Sequence, residues 1–253
     1  MPDGRPLRLA RGEGLVTRGS RRPAIADASV AAAALLAYNN VLSLVIGPGD
    51  GPGALRVWTN AALLAVSLAA ARARGYGLDE LGLRPSRLLR GFALGFAAGL
   101  ALAVAPVAFI ALAPLVTGEP IENEGITSLS GPELAVRLGV RVPIGTALFE
   151  EVVFRGVLYA MALRAGGERA ALAGTALVFA LWHTAITSMT VAESGVVDAR
   201  ALVALGVALS LAGLFVGGLI FAWLRWRTGS IGAAVGLHWS VVSAMTIAVW
   251  ARA

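Results

Sequence analysis

The sequence predicts an all-α, polytopic transmembrane bundle of about seven helices, and three observations carry that prediction. The 253 residues are 57% hydrophobic and only 14% charged, where a soluble domain averages about a quarter charged. Uncharged apolar runs at Gly91–Val116 and Ala201–Leu224 each exceed the roughly 20 residues that cross hydrocarbon as a helix. Every one of the 21 basic residues is arginine, and they crowd into the short segments between the runs, as orientation in a bilayer requires.

Hydropathy places the helices near 25–47, 55–74, 91–116, 133–164, 168–190, 200–225 and 229–251, with an eighth, re-entrant or interfacial piece possible within 120–140. The basic stretch 1–23 reads as a cytoplasmic tail and 24–253 as the transmembrane domain. The apolar stretch after the tail is too long for a signal sequence, so an uncleaved first span is expected. The second helix is the weakest. Arg56 and Arg72 bracket only 15 uncharged residues, about 22 Å of helix, so both would have to snorkel. Pro106 and Pro114 are expected to kink the third helix. In "GLDELGLRPS" (77–86), Asp79 and Glu80 could open a short helix.

Small residues four apart recur at Gly91, Gly95 and Gly99, at Gly213 and Gly217, and at Gly232 and Gly236. That spacing lets membrane helices approach closely, and packing within one chain is the expected use.

Arginine counts on alternate loops set the orientation. With the N-terminus inside, the cytoplasmic segments hold 15 arginines and the opposite side only Arg56, Arg137, Arg141, Arg200 and Arg252. Seven spans then leave the N-terminus cytoplasmic and the C-terminus across the membrane. The composition excludes other classes. There is no cysteine, so disulfides and thiolate metal sites are ruled out, and no basic stretch is interleaved with exposed aromatics as nucleic-acid binding would want.

The chemistry concentrates in "FEEVVFRG" (149–156). A charge within the membrane is costly and marks a functional site by default. Glu151 and Arg155 are four apart and share a helix face, so they can pair. Glu150 points about 100° away and is left for other work. The chain's two histidines, His183 in "FALWHTA" and His238 in "GLHWSVV", both fall in apolar helices. Glu150, His183 and His238 lie about 20, 22 and 14 Å from the presumed cytoplasmic helix ends, at 1.5 Å per residue. A carboxylate and imidazoles at such depth suit activation of water by general acid–base transfer. The same trio could ligate zinc, although H-E-x-x-H is absent. Bracing of helix packing is the bland alternative for the glutamates.

E-E-x-x-x-R at Glu150, Glu151 and Arg155, then F-x-x-x-H at Phe179 and His183, then a late-helix histidine at His238, resembles the CAAX-protease and bacteriocin-processing family of intramembrane endopeptidases. The resemblance covers about 75–250. It implies that Glu150 activates water with help from His183, that Glu151 pairs with Arg155, and that His238 stabilises the oxyanion, a donor role of a general kind. It implies no required cofactor in the metal-free mechanism argued for the family, with Zn²⁺ held by Glu150, His183 and His238 as the alternative. Where the family commonly has asparagine four residues after the late histidine, this chain has Val242.

The expected function is therefore hydrolysis of a membrane-associated or lipid-modified peptide or protein in a bacterial plasma membrane. A non-catalytic relative acting in bacteriocin immunity or as a partner-binding scaffold is the alternative, and Val242 is its support. A proton relay or transporter is the third reading; it would favour paired hydrophobic repeats, which the sequence lacks.

Overall fold

The computed structural model describes residues 18–46, 53–118, 123–193 and 200–252. Those residues are 89% helical and contain no strand, so the all-α reading holds. Among the described residues four helices are long and apolar enough to cross a membrane: Pro23–Val45, Pro85–Leu112, Arg200–Thr228 and Ile231–Trp250. A bent pair, Gly131–Trp182 with Thr184–Ala192, adds a fifth if it is one span. The chain is an integral membrane protein. The helix over Gly53–Ala73 does not reach that standard, in line with the arginines at its ends. Residues 1–17 of the basic tail lie outside the described residues.

In chain order the elements are α1 (Arg18–Ile46), α2 (Gly53–Ala73), α3 (Pro85–Leu112), α4 (Pro114–Thr117), α5 (Glu124–Thr127), α6 (Gly131–Val136), α7 (Phe149–Glu151), α8 (Tyr159–Arg169), α9 (Thr175–Trp182), α10 (Thr184–Glu193), α11 (Arg200–Thr228) and α12 (Ile231–Trp250). Wider π-helical turns over Arg137–Leu148, Val152–Leu158 and Ala170–Gly174 join α6 to α9. The chain divides into two compact units, one of 1–47 with 158–229, the other of 48–157 with 230–253.

In the first unit, α1 lies along α8, α9 and α10, and α11 packs on α9 and α10. The chain reverses at Gly167, whose φ of 77° is a left-handed conformation that glycine adopts without penalty. The reversal seats Tyr159, Ala162 and Leu163 against Ala171 and Leu172. Gly218 lets α11 touch Ala176; a Cβ there would stand 3.0 Å from its Cα.

The second unit is built on α3 against α12. A Cβ on Gly95 would run into the Ala233 carbonyl, and one on Gly99 into Ser240 Oγ. Reciprocally, Gly232 and Gly236 face the Leu88 and Phe92 carbonyls. These two stripes are the close-packing surfaces that the four-residue spacing predicts. Gly213 and Gly217 are not: nothing lies within 4 Å of a Cβ built on either.

The segment 77–86 corrects another expectation. Asp79 and Glu80 sit in successive turns rather than a helix. Glu80 accepts from the Gly77 N–H at 2.8 Å and Asp79 pairs with Arg84 at 3.3 Å. Leu81 is fully buried, and the Gly82 carbonyl accepts from the Ile231 N–H at 3.0 Å, tying this loop to the first residue of α12. Pro114 interrupts the predicted third helix, opening α4 after Ala113, while Pro106 lies within α3.

Candidate functional site

Every residue from Phe149 to Met161 is buried, which explains why "FEEVVFRG" looks like lipid-facing sequence. A helix that is apolar all round belongs in a core, and its charged members must then find partners. Glu151 and Arg155 are both fully buried. Arg155 Nη1 donates to Glu151 Oε1 at 3.3 Å, and its Nε lies 3.2 Å from Oε2. The four-residue spacing thus brings the two together across the edge of a π-helical stretch.

The sequence reading pairs Glu151 with Arg155, and the structure adds a second partner. His238 Nδ1 lies 2.9 Å from Glu151 Oε1, so one carboxylate oxygen receives both the arginine and the imidazole. A carboxylate only accepts, so Nδ1 carries the proton and donates, and Nε2 is the nitrogen turned to other partners. His238 is 7% exposed, in the middle of an unbroken α12.

The adjacent Glu150 is buried as well. It is 8% exposed, and its Oε2 is buried without a hydrogen-bond partner among the described residues. Buried polar atoms are overwhelmingly paired, and an exception asks for a reason.

Backbone chemistry holds α12 in place beside this cluster. Pro143 has no N–H, and in a π-helical stretch that hydrogen would have gone to the carbonyl five residues back, Leu138. Trp239 supplies the missing donor: its Nε1 lies 2.7 Å from Leu138 O. The indole also contacts the Phe92 and Phe96 rings, with centroids 5.6 and 5.5 Å away. The residue next to His238 is thereby anchored to the segment that leads into Glu150. Val242, partly buried one turn beyond His238, offers no donor.

Phe179 and His183 belong to the first unit. His183 ends α9 with φ −90° and ψ 4°, and α10 leaves the line of the preceding helix by 44°. The His183 N–H turns to Ala180 O at 3.0 Å, and the ring Nδ1 lies 2.8 Å from Phe179 O. A carbonyl only accepts, so Nδ1 again carries the proton and Nε2 presents a lone pair in the neutral ring. The Phe179 ring stands edge-on to the imidazole at 4.7 Å and meets Phe221 at 6.1 Å. Phe179 of the motif therefore holds His183 through both its carbonyl and its ring.

Zinc held by Glu150, His183 and His238 is the alternative that the resemblance implies. Among the described residues no group of three His, Cys, Asp or Glu side chains is arranged to hold a metal ion.

Residues 132–244 match the family model described as type II CAAX prenyl endopeptidase Rce1-like. All six motif residues fall inside that stretch. No curated protein and no solved structure matches the chain.

Proposed function

We propose that this chain, which through residues 132–244 belongs to the CAAX-protease family, is an intramembrane endopeptidase that hydrolyses a peptide bond of a membrane-held substrate. The contacts of two adjacent glutamates carry the reading: Glu151 Oε1 accepts from both Arg155 and His238 and its Oε2 faces Arg155 Nε at 3.2 Å, while Glu150 Oε2 has no hydrogen-bond partner among the described residues. A buried carboxylate oxygen without a hydrogen-bond partner is poised to take a proton from water.

In the proposed reaction Glu150 removes that proton as the water oxygen attacks the scissile carbonyl carbon. The family resemblance assigns His183 to the same water, and its Nε2 lone pair suits an acceptor. The carbonyl oxygen becomes an oxyanion, which His238 stabilises through Nε2–H. That role needs the imidazolium form, and Glu151 supplies the counter-charge at Nδ1. Collapse of the intermediate breaks the C–N bond, and the proton held by Glu150 passes to the leaving amine. No metal or organic cofactor takes part in this scheme.

A substrate already held in the bilayer, whether a membrane peptide or a lipid-modified one, is best placed to reach a site on buried helices. The setting we propose is a bacterial plasma membrane crossed seven times, with the N-terminus cytoplasmic; the arginine asymmetry of 15 against five supports that orientation. The test is hydrolysis in vesicles of matched prenylated and unmodified peptides, run in ¹⁸O-water with products read by mass spectrometry. Label in the new carboxylate with wild type and none with Glu150→Gln supports the reading. Absence of cleavage across peptide classes in folded protein favours the non-catalytic scaffold, for which Val242 speaks.

A further inference from the structure

The first membrane helix lies outside the matched stretch 132–244, yet it carries two adjacent asparagines in an apolar run. We infer that Asn39 and Asn40 are positioning residues for His183: they hold open the helix break that fixes which ring nitrogen the histidine presents. This rests on the proposed role of His183 but on different observations.

The break lies between α9 and α10. In a continuous helix the Leu181 carbonyl would accept from the Ala185 N–H four residues on. Here the Asn40 amide stands between those two groups. Its Nδ2 donates to Leu181 O at 3.1 Å and its Oδ1 accepts from Ala185 N at 2.9 Å. One side-chain amide thus bridges the severed rung of the ladder from both sides. The second Nδ2 hydrogen is used within α1, at Leu36 O, 2.9 Å away. Thr184 Oγ1 adds a further bond to Leu181 O at 2.9 Å. The next carbonyl, Trp182, accepts from Asn39 Nδ2 at 2.8 Å, and the Trp182 ring rests against Tyr38 at 5.8 Å. Asn39 is 5% exposed.

An open rung at membrane depth is tolerated only where other groups satisfy it, and a side chain inserted into the ladder is one recognised cause of a sharp bend. The consequence reaches the histidine. With the helix interrupted, the His183 N–H tightens onto Ala180 O, and Phe179 O receives the ring Nδ1–H. A continuous helix would direct the His183 N–H to Phe179 O, in competition with the ring. The imidazole would then lose the contact that holds its proton on Nδ1 and its lone pair on Nε2.

Two histidines in the chain make this testable without any substrate. Full-length protein with ¹⁵N-labelled histidine in lipid nanodiscs gives two sets of ring signals, assigned with His183→Gln. Wild type should show the His183 ring as the single Nδ1–H tautomer. Asn40→Ala should convert it to a tautomer mixture, leave His238 unchanged, and abolish the hydrogen-exchange protection of the Ala185 amide. Asn40→Asp, which keeps the acceptor for Ala185 but not the donor for Leu181, should fall between, and Asn39→Ser gives a second route should Asn40→Ala not fold. A folded Asn40→Ala or Asn39→Ser whose His183 signals match wild type overturns the inference. So does a wild-type ring protonated on Nε2. The readout separates the two proposals: a tautomer shift in a protein that cleaves nothing sinks the peptidase reading alone, whereas Glu150-dependent cleavage with an indifferent tautomer sinks this one.

Discussion

The two histidines are held in the same way by different partners. Both direct Nδ1–H to an oxygen, at 2.9 Å for His238 and 2.8 Å for His183, but the first oxygen belongs to the Glu151 carboxylate and the second to the Phe179 backbone carbonyl. A carboxylate offers a counter-charge that supports an imidazolium, so His238 is equipped to donate from Nε2. A neutral carbonyl fixes the tautomer without adding charge, so His183 is equipped to accept there. The fold differs to match. His238 sits in an unbroken helix where a buried ion pair supplies its partner, while His183 sits at a break that frees a turn of backbone to serve it. The oxygen partner, more than the imidazole itself, assigns the role.

Several substitutions would break or sharpen this contrast. The largest effect is expected at the proposed general base, which acts on the same reaction as both histidines. Glu150→Gln should lower turnover about 10²- to 10⁴-fold, the range for loss of a general base, with unchanged abundance, as read by peptide hydrolysis in vesicles. Next, Arg155→Ala should cost about 3–5 kcal/mol, because Glu151 is left buried with only His238 to meet it. A Arg155→Ala protein as abundant and heat-stable in detergent as its parent would show that the ion pair does not anchor the His238 side.

Smaller effects test the frame around His238. Trp239→Phe removes the donor to Leu138 O and should cost about 1–3 kcal/mol; unchanged melting would mean that another group takes over at Leu138. Gly95→Ala, whose new methyl runs into the Ala233 carbonyl, should cost a similar ~1–3 kcal/mol by overpacking. Gly213→Ala touches neither histidine and faces open space, so its melting should stay within about 0.5 kcal/mol of the parent.

Hydropathy alone locates the long helices, because a period-independent apolar run is the strongest signal a membrane chain carries. The stripes Gly91/Gly95/Gly99 and Gly232/Gly236 were equally legible, since their use is local to one helix pair. Gly213 and Gly217 show the limit of that reasoning: the same spacing here meets no neighbour, and spacing cannot say what stands opposite. Asp79 and Glu80 favour a helix start by composition, but Leu81 is drawn into the core and Gly82 into a bond with Ile231, so tertiary contacts set the turns instead. The π-helical turns around Glu150 leave no mark in hydropathy. Long-range partners were the hardest to see. Pairing of Glu151 with Arg155 follows from a four-residue spacing, whereas Glu151 with His238 spans 87 positions. Asn39 and Asn40 were visible as polar residues in an apolar helix, and that anomaly is the signal that could have drawn attention to them.

The central claim is that Glu150, His183 and His238 serve one reaction, and the chain's lack of cysteine permits a direct measurement. Cysteine pairs placed at 150/183, 183/238 and 150/238 in native membranes would each be treated with a short thiol cross-linker and followed by mobility on gels. The account predicts efficient linkage of all three pairs. Failure of position 183 to link to either partner, in protein that remains folded, would contradict it.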